Sequence, residues 1–226
     1  MGTKLGADLW GPEELPTLPH DRRVNEILVV LGAKGSGKST WVQDELARSL
    51  SPGEGGLLVS DAIRPESRSL IVWDCMDEYW RPIAGHTLIE CPHPPAFLDD
   101  PRLLQKPLRV RFNGAKDEHA HLAVAIAWAR EGSVVVFEEA HRLCPGGQPP
   151  KWLLDAVTTA RHRAVSIVFT SQRPARVPKD LVANADRVVV GRLGNEPDRR
   201  NLAACRGDAR ILNETADLAV GSFIET

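Results

Sequence analysis

The sequence predicts an α/β fold with a mostly parallel central sheet and helices on both faces. Short runs of apolar and β-branched residues alternate with longer segments of helical periodicity, which is typical of parallel sheets covered on both sides. The first run leads directly into a glycine-rich loop. A Pro-rich stretch with little periodicity predicts an irregular arm over residues 1–23, followed by one domain over 24–226.

Each element follows from its own pattern. Runs such as EILVVL (26–31) and VVVF (134–137) are too short for helices and suit buried parallel strands, while LRVRF (108–112) alternates. The predicted strands are Glu26–Leu31, Leu70–Trp73, Leu108–Phe112, Val134–Phe137, Val165–Thr170 and Arg187–Val190. The predicted helices are Lys38–Leu50, Glu118–Arg130, Lys151–His162, Leu181–Ala185 and Glu196–Cys205.

Composition excludes several classes of protein. With 226 residues, 42% of them hydrophobic and 26% charged, the chain has ordinary globular usage and is long enough to bury a core. A formal net charge of −2 excludes a globally basic nucleic-acid binder but permits a local basic patch. The apolar runs are too short to span a membrane. The four cysteines form no CxxC pair, and we interpret them as reduced thiols of a cytosolic protein.

The loop after the first strand matches the phosphate-binding pattern GxxxxGK[ST] and is followed by Thr40. Its residues are Gly32, Ala33, Lys34, Gly35, Ser36, Gly37, Lys38 and Ser39. Glycines let backbone amides turn toward phosphates, and the helix N-terminus behind them favours an anion. Lys38 is expected to bridge the phosphates of ATP and the Ser39 hydroxyl to ligate Mg²⁺. The alternative is a glycine-rich turn unrelated to nucleotides.

Polar residues follow two of the predicted strands. Glu138 and Glu139 end the VVVF strand, where the first carboxylate would enter the Mg²⁺ shell and the second would act as general base on a water molecule. Gln172 follows the strand at 165–170 and would contact both the γ-phosphate and that water. Solvated strand ends are the alternative for these side chains.

Arginines close the helix before the Gln172 strand. Arg161 and Arg163 are candidates for a finger that a neighbouring subunit inserts to neutralise charge on the transferred phosphoryl group. They could equally be cations that favour a helix C-terminus. Between residues 151 and 210 there are twelve basic and six acidic residues, which indicates a basic surface for DNA phosphates or for other subunits.

Taken together, the motifs resemble those of the HerA/FtsK superfamily of P-loop DNA-pumping ATPases. Four stretches carry the resemblance: GAKGSGKST (32–40), VVVFEEAHRL (134–143), ARHRAVSIVFTSQRP (160–174) and ADRVVVGRL (185–193). VWDCMDEY (72–79) is similar to the family's V-x-D-P-x-G-E-Y segment, with Cys75 in place of the proline and Asp77 in place of the glycine.

The resemblance implies a role for each site residue. Lys38 and Ser39 would bind phosphate and Mg²⁺, Glu138 would lie in the metal shell, Glu139 would be the base and Gln172 the sensor. Arg161 would be the finger in preference to Arg163, because the family's arginine lies eleven residues before the sensor glutamine. The chain would form a homo-oligomeric ring, with a hexamer preferred, in the host cytoplasm or associated with the virion.

A motor core of this size is most similar to genome-packaging ATPases of tailless, internal-membrane viruses and phages, which drive double-stranded DNA into a preformed capsid. A capsid-vertex or membrane protein is then a further partner. Two alternatives stay open: a cellular or plasmid HerA-like translocase in repair, conjugation or defence, and an ATP-gated assembly protein with little turnover. A small-molecule kinase is disfavoured because no substrate lid is recognisable.

Overall fold

The strands form one eight-stranded sheet in a computed structural model that describes residues 25–58, 64, 67–79, 81–83, 85–90, 107–113, 117–130 and 132–226. The arm predicted over residues 1–23 lies outside these residues. The strands are β1 (Ile27–Leu31), β2 (Leu70–Asp74), β3 (Ile89–Glu90), β4 (Arg109–Asn113), β5 (Val134–Phe137), β6 (Ser166–Ser171), β7 (Arg187–Val190) and β8 (Ile224–Glu225). Their order across the sheet is β3-β4-β2-β5-β6-β1-β7-β8, and each pair is parallel except β7 with β8.

Most of the helices lie in connections between parallel strands, which need long crossovers. Within the described residues they are α1 (Lys38–Ser49), α2 (Asp117–Trp128), α3 (Lys151–Thr159), α4 (Lys179–Ala183), α5 (Glu196–Arg206) and α6 (Ala209–Glu214). None of the helices in this part of the chain has the length and apolar character that crossing a membrane demands.

Alternate residues of the central strands face two different hydrophobic clusters. Leu28 and Val30 of β1 face the cluster that includes Leu46 of α1. Val29 of β1 faces the opposite cluster, which includes Leu153 of α3 together with residues of α2, α4, α5 and α6. Because the side-chain period of a strand is two, both faces of the sheet are buried against helices. The predicted fold class is therefore confirmed.

The structure differs from the predicted elements in a few places. The helix predicted over Lys151–His162 ends at Thr159, and 160–163 form a tighter 3₁₀ turn. The chain then reverses into β6 through Ala164, whose φ of 52° is left-handed and ends the helix. β3, β8 and α6 were not predicted, because they are too short to show a hydrophobic period.

The position of β6 determines which polar residues meet. It lies between β5 and β1, pairing Phe137 with Phe169 on one side and Leu31 with Ser171 on the other. Since the three strands are parallel, the segments that follow them emerge at the same edge of the sheet. In open α/β sheets this carboxyl edge is where ligands bind.

Candidate active site

The phosphate-binding loop joins β1 to α1 and is anchored by its own backbone. Gly32 donates its N–H to the Ser171 carbonyl at 3.2 Å, and Ala33 donates to the Arg192 carbonyl at 2.8 Å. The loop is thereby fixed to the last residue of β6 and to the segment that follows β7. Lys38 and Ser39 begin α1 directly behind it, so their side chains start from the positive end of the helix dipole.

A turn near the C-terminus packs against the underside of this loop. Gly221 donates its N–H to the Ser36 carbonyl at 3.0 Å, and the rings of Phe223 and Trp41 have their centroids 5.6 Å apart. Gly37 precedes α1 with a φ of 92°, and a Cβ atom placed on it would lie 3.2 Å from the Gly221 nitrogen. Glycine is thus required at position 37 both for backbone conformation and for space.

We expect Gly37→Ala to lower the free energy of unfolding more than Gly35→Ala. Both glycines have positive φ, which costs a residue with a Cβ about 1–2 kcal/mol. Only at Gly37 does a neighbour also lie within contact distance, because a Cβ on Gly35 would meet nothing within 4 Å. Equilibrium urea unfolding of the two variants measures the difference, and equal losses would contradict the packing argument.

Several of the predicted site residues line one cavity of about 260 Å³ at the carboxyl edge of the sheet. Its walls are Lys34, Gly35, Gly37, Lys38, Ser39, Thr40, Met76, Glu78, Glu139 and Gln172. The structure therefore brings the predicted phosphate loop, the predicted base and the predicted sensor together. A second cavity of about 500 Å³ shares Lys34 and Gln172 with the first and extends toward the N-terminus of α5.

Lys38 is buried beneath the loop among carboxylates. Burial lowers the pKa of its ammonium group, and the charges of Glu139, Glu78 and Glu138 oppose this shift, in that order of size. A cation held in this way, 8% exposed, is already oriented toward the space that the loop encloses. It can interact with a phosphate at little further cost of desolvation.

Glu139 is held in a fixed orientation by the end of β6. Its Oε2 atom accepts the Gln172 backbone N–H at 3.1 Å and lies 3.0 Å from Nδ1 of His141. His141 Nδ1 is also 3.0 Å from the Ser171 hydroxyl. The Glu139 backbone is left-handed, with φ 49° and ψ 51°, an arrangement that is costly for a residue with a side chain. The carboxylate is consequently positioned for chemistry at the expense of local strain.

The surroundings of Glu139 and His141 shift the pKa values of both side chains. Burial raises the pKa of Glu139, whereas the Gln172 N–H and the charge of Lys38 lower it. Burial lowers the pKa of His141, and the positive charges of Arg173, Arg176 and Arg142 add to the effect. A raised carboxylate pKa suits a general base, whose efficiency is greatest when its pKa approaches the working pH.

Glu138 faces the turn after β2 and is only 2% exposed. Its Oε2 atom accepts the Met76 N–H at 2.9 Å. Burial, first, and the neighbouring carboxylates of Asp74 and Glu78 together raise its pKa to about 10. The metal-shell role of Glu138 remains a prediction. Because the raised pKa favours the protonated carboxyl in the metal-free protein, metal binding there would require release of the proton.

We expect the metal-free protein to lose stability as the pH rises from about 4.5 toward 10, through the proton on Glu138. In this range the folded chain binds a proton that the unfolded chain releases, so the free energy of unfolding falls with increasing pH. Glu138→Gln removes this contribution. Urea unfolding of both proteins at several pH values checks it, and parallel pH curves would contradict it.

A carboxylate from the segment after β2 lies beside Ser39. The Ser39 hydroxyl donates a hydrogen bond to Glu78 Oε2. Asp77, which stands where the related segment has glycine, adopts a φ of 60° and so keeps the backbone conformation that glycine favours. Arg111 binds the Asp77 carboxylate at 2.7 Å and that of Asp74 at 3.3 Å. The VWDCMDEY segment was the signal for Glu78; nothing in the sequence indicated Arg111.

Arg161 and Arg163 lie far from this cavity in the same chain. They belong to the turn that precedes β6, at the amino edge of the sheet, whereas Gln172 follows the carboxyl end of β6. The strand between them spans about 17 Å at 3.3 Å per residue. Neither arginine lines the cavity of its own chain, and the assignment of a finger stays a prediction about a neighbouring subunit.

The donor set fits the Mg²⁺ ion that the phosphate loop implies. Mg²⁺ prefers oxygen ligands and is usually held by one or two carboxylates, phosphate oxygens and water. The Ser39 hydroxyl and the carboxylates of Glu78 and Glu138 supply oxygens at this edge. Among the described residues no three acidic, histidine or cysteine side chains could hold a metal by themselves, so nucleotide phosphates would have to complete the shell.

The P-loop ATPase fold is defined by the phosphate-binding loop after β1, by the strand order and by the polar residues at the carboxyl edge of the sheet. The family model described as zonular occludens toxin (Zot) matches residues 102–192, less than half of the chain. Among curated proteins, none is similar enough in sequence to count as a match.

Solved structures show the same fold. The genome packaging NTPase B204 from Sulfolobus turreted icosahedral virus 2 in complex with AMP has a TM-score of 0.65 and 15% identity, covering 89% of this chain and 92% of that one. Its complex with AMPPCP has a TM-score of 0.65 and 16% identity at the same coverage. VirB4 of Thermoanaerobacter pseudethanolicus has a TM-score of 0.55 and 13% identity, covering 89% and 88%. The predicted resemblance is therefore confirmed at the level of the P-loop ATPase fold.

Proposed function

We propose that this chain is an ATP-hydrolysing motor that translocates double-stranded DNA, with packaging of a viral genome into a capsid as its task. The observation that carries the proposal is that Lys38, Ser39, Glu139 and Gln172 line one cavity. A binder that only senses ATP has no use for a buried, strained carboxylate next to a polar strand end. The likeness to a genome packaging NTPase over nearly the whole chain supports the choice of task.

Each residue of the site has its own role in hydrolysis. The loop amides and Lys38 hold the phosphates, and Glu139 accepts a proton from the attacking water. Gln172 donates its backbone N–H to Glu139 and lines the same cavity, so in this proposal it responds to loss of the γ-phosphate. Ser39 and Glu138 would hold Mg²⁺, which would neutralise charge on the phosphates.

Movement would pass from this site to DNA along the segment after β6. Arg173, Arg176 and Lys179 are exposed and follow Gln172 directly in the chain. Several other cations of the basic segment are already paired, including Arg187 with Glu225, Arg200 with Glu196 and Arg210 with Asp208. The three exposed cations are therefore the better candidates for phosphate contacts. In this proposal a ring of identical subunits, a hexamer by preference, acts in the host cytoplasm with capsid or membrane proteins as further partners.

Phosphate release from ATP, with and without linear double-stranded DNA, tests the proposal. We expect DNA to stimulate turnover, with single-stranded DNA as the comparison and Lys38→Ala as the inactive control. Displacement of a triplex-forming strand from the DNA end would then report translocation. ATP binding without turnover under any of these conditions would favour the assembly protein with little turnover, and no binding would exclude both.

A further inference from the structure

The carboxylate of Glu78 accepts a hydrogen bond from the Ser39 hydroxyl, the group on which the predicted metal site depends. Ser39 Oγ donates its hydrogen bond to Glu78 Oε2, and both residues line the same cavity. A serine hydroxyl that binds Mg²⁺ offers a lone pair to the ion while its proton still needs an acceptor. Glu78 is the side chain that already fills the role of acceptor.

The backbone of Glu78 is held beside Ser39 by contacts on both sides. Its backbone N–H donates to Asp74 Oδ1 at 3.1 Å, and Gln43 Nε2 donates to its carbonyl at 3.2 Å and to the Ser39 carbonyl at 3.1 Å. Asp74 is fully buried and is bound by Arg111. The backbone of the turn that carries Glu78 is thus attached to the first turn of α1, which holds this exposed residue beside Ser39.

The charge balance of the site calls for a cation at this point. The carboxylates of Glu139 and Glu78 both act on Lys38, which is a single positive charge. ATP would bring further negative charge into the same cavity. A divalent ion between these carboxylates and the phosphates would relieve the repulsion, whereas nucleotide alone would meet it in full.

We propose that Glu78 is a further carboxylate of the Mg²⁺ site, acting on the metal through the Ser39 hydroxyl and metal-bound water, and that it makes nucleotide binding depend on the metal. This inference rests on the proposed function, because it assumes that ATP binds at the phosphate loop. Glu78 acts as a positioning residue, since its observed contact is with the metal-binding hydroxyl.

The test is a set of binding titrations with a fluorescent ATP analogue, at graded Mg²⁺ concentrations and in chelator alone. We expect Glu78→Gln to raise the Mg²⁺ concentration for half-maximal binding by about 10-fold, the lower end of the effect of losing an outer-shell partner of a metal. In chelator the same variant should bind at least as tightly as the wild type, because one negative charge has been removed. The glutamine oxygen can still accept from Ser39, so folding is expected to be preserved.

Glu54→Gln is the matched control, since Glu54 is exposed in the loop after α1. An unchanged Mg²⁺ requirement in Glu78→Gln would overturn the inference. An equal loss of affinity with and without metal would overturn it too, because that is the pattern of a damaged phosphate loop. If the wild type bound no nucleotide under any condition, the proposed function itself would fail, a result distinct from both.

Discussion

Replacing Glu139 by glutamine is expected to reduce ATP hydrolysis by about 10²–10⁴-fold while nucleotide binding persists. The amide cannot take a proton from water, yet its oxygen can still accept the Gln172 N–H that now binds Glu139 Oε2. The strained backbone at this residue is left unchanged. The measurement is phosphate release in single-turnover and steady-state assays, together with binding of the fluorescent nucleotide.

Glu214→Gln is a suitable control because this glutamate is exposed at the end of α6 and makes the same chemical change. It should hydrolyse ATP at the wild-type rate. Turnover by Glu139→Gln within a factor of about two of the wild type would remove Glu139 from the role of base. Loss of nucleotide binding together with turnover would instead mean that Glu139 organises the site.

Arg161→Ala is expected to lower hydrolysis by about 10³-fold, the lower end of the contribution of an arginine finger. Nucleotide binding should change little, because the residue lies at the opposite edge of the sheet from the phosphate loop of its own chain. Arg163→Ala tests the alternative position and should keep most of the activity. The reverse ranking would transfer the assignment to Arg163.

Mixing two inactive variants distinguishes action between subunits from action within one. Arg161→Ala subunits keep Glu139, and Glu139→Gln subunits keep Arg161. Where they adjoin in the right order, one complete site forms, so co-assembled mixtures should regain part of the wild-type turnover. Mixtures as inactive as either variant alone, at concentrations where oligomers form, would contradict a finger supplied by the neighbour.

The central strands could be predicted because their signal is local. Val134–Phe137 was predicted with the bounds that the structure has, and β1 differs from its prediction by one residue. A buried parallel strand appears in the sequence as an uninterrupted apolar run. β3 and β8 have two residues each and depend on pairing with β4 and β7. Nothing within so short a segment distinguishes a strand from a loop.

The candidate site could likewise be predicted only where its signal is local in the sequence. Lys38 and Glu139 stand in patterns whose spacing is set by one turn or one strand end, and the structure places both at the cavity. Contacts between distant segments could not be predicted. The Ser39–Glu78 bond joins residues that are far apart in sequence, and the Arg111–Asp74 pair depends on β4 lying beside β2.

The separation of Arg161 from the phosphate loop has a consequence for symmetry. If one subunit's amino edge completes the carboxyl edge of the next, the two contact surfaces are different patches of the chain. A two-fold dimer joins identical patches and would leave such a site incomplete. Only a head-to-tail arrangement repeats the contact, and closing it produces a cyclic ring in which every subunit points the same way. An assembly of that kind has distinguishable entrance and exit faces, which is what unidirectional movement of a polymer through it requires.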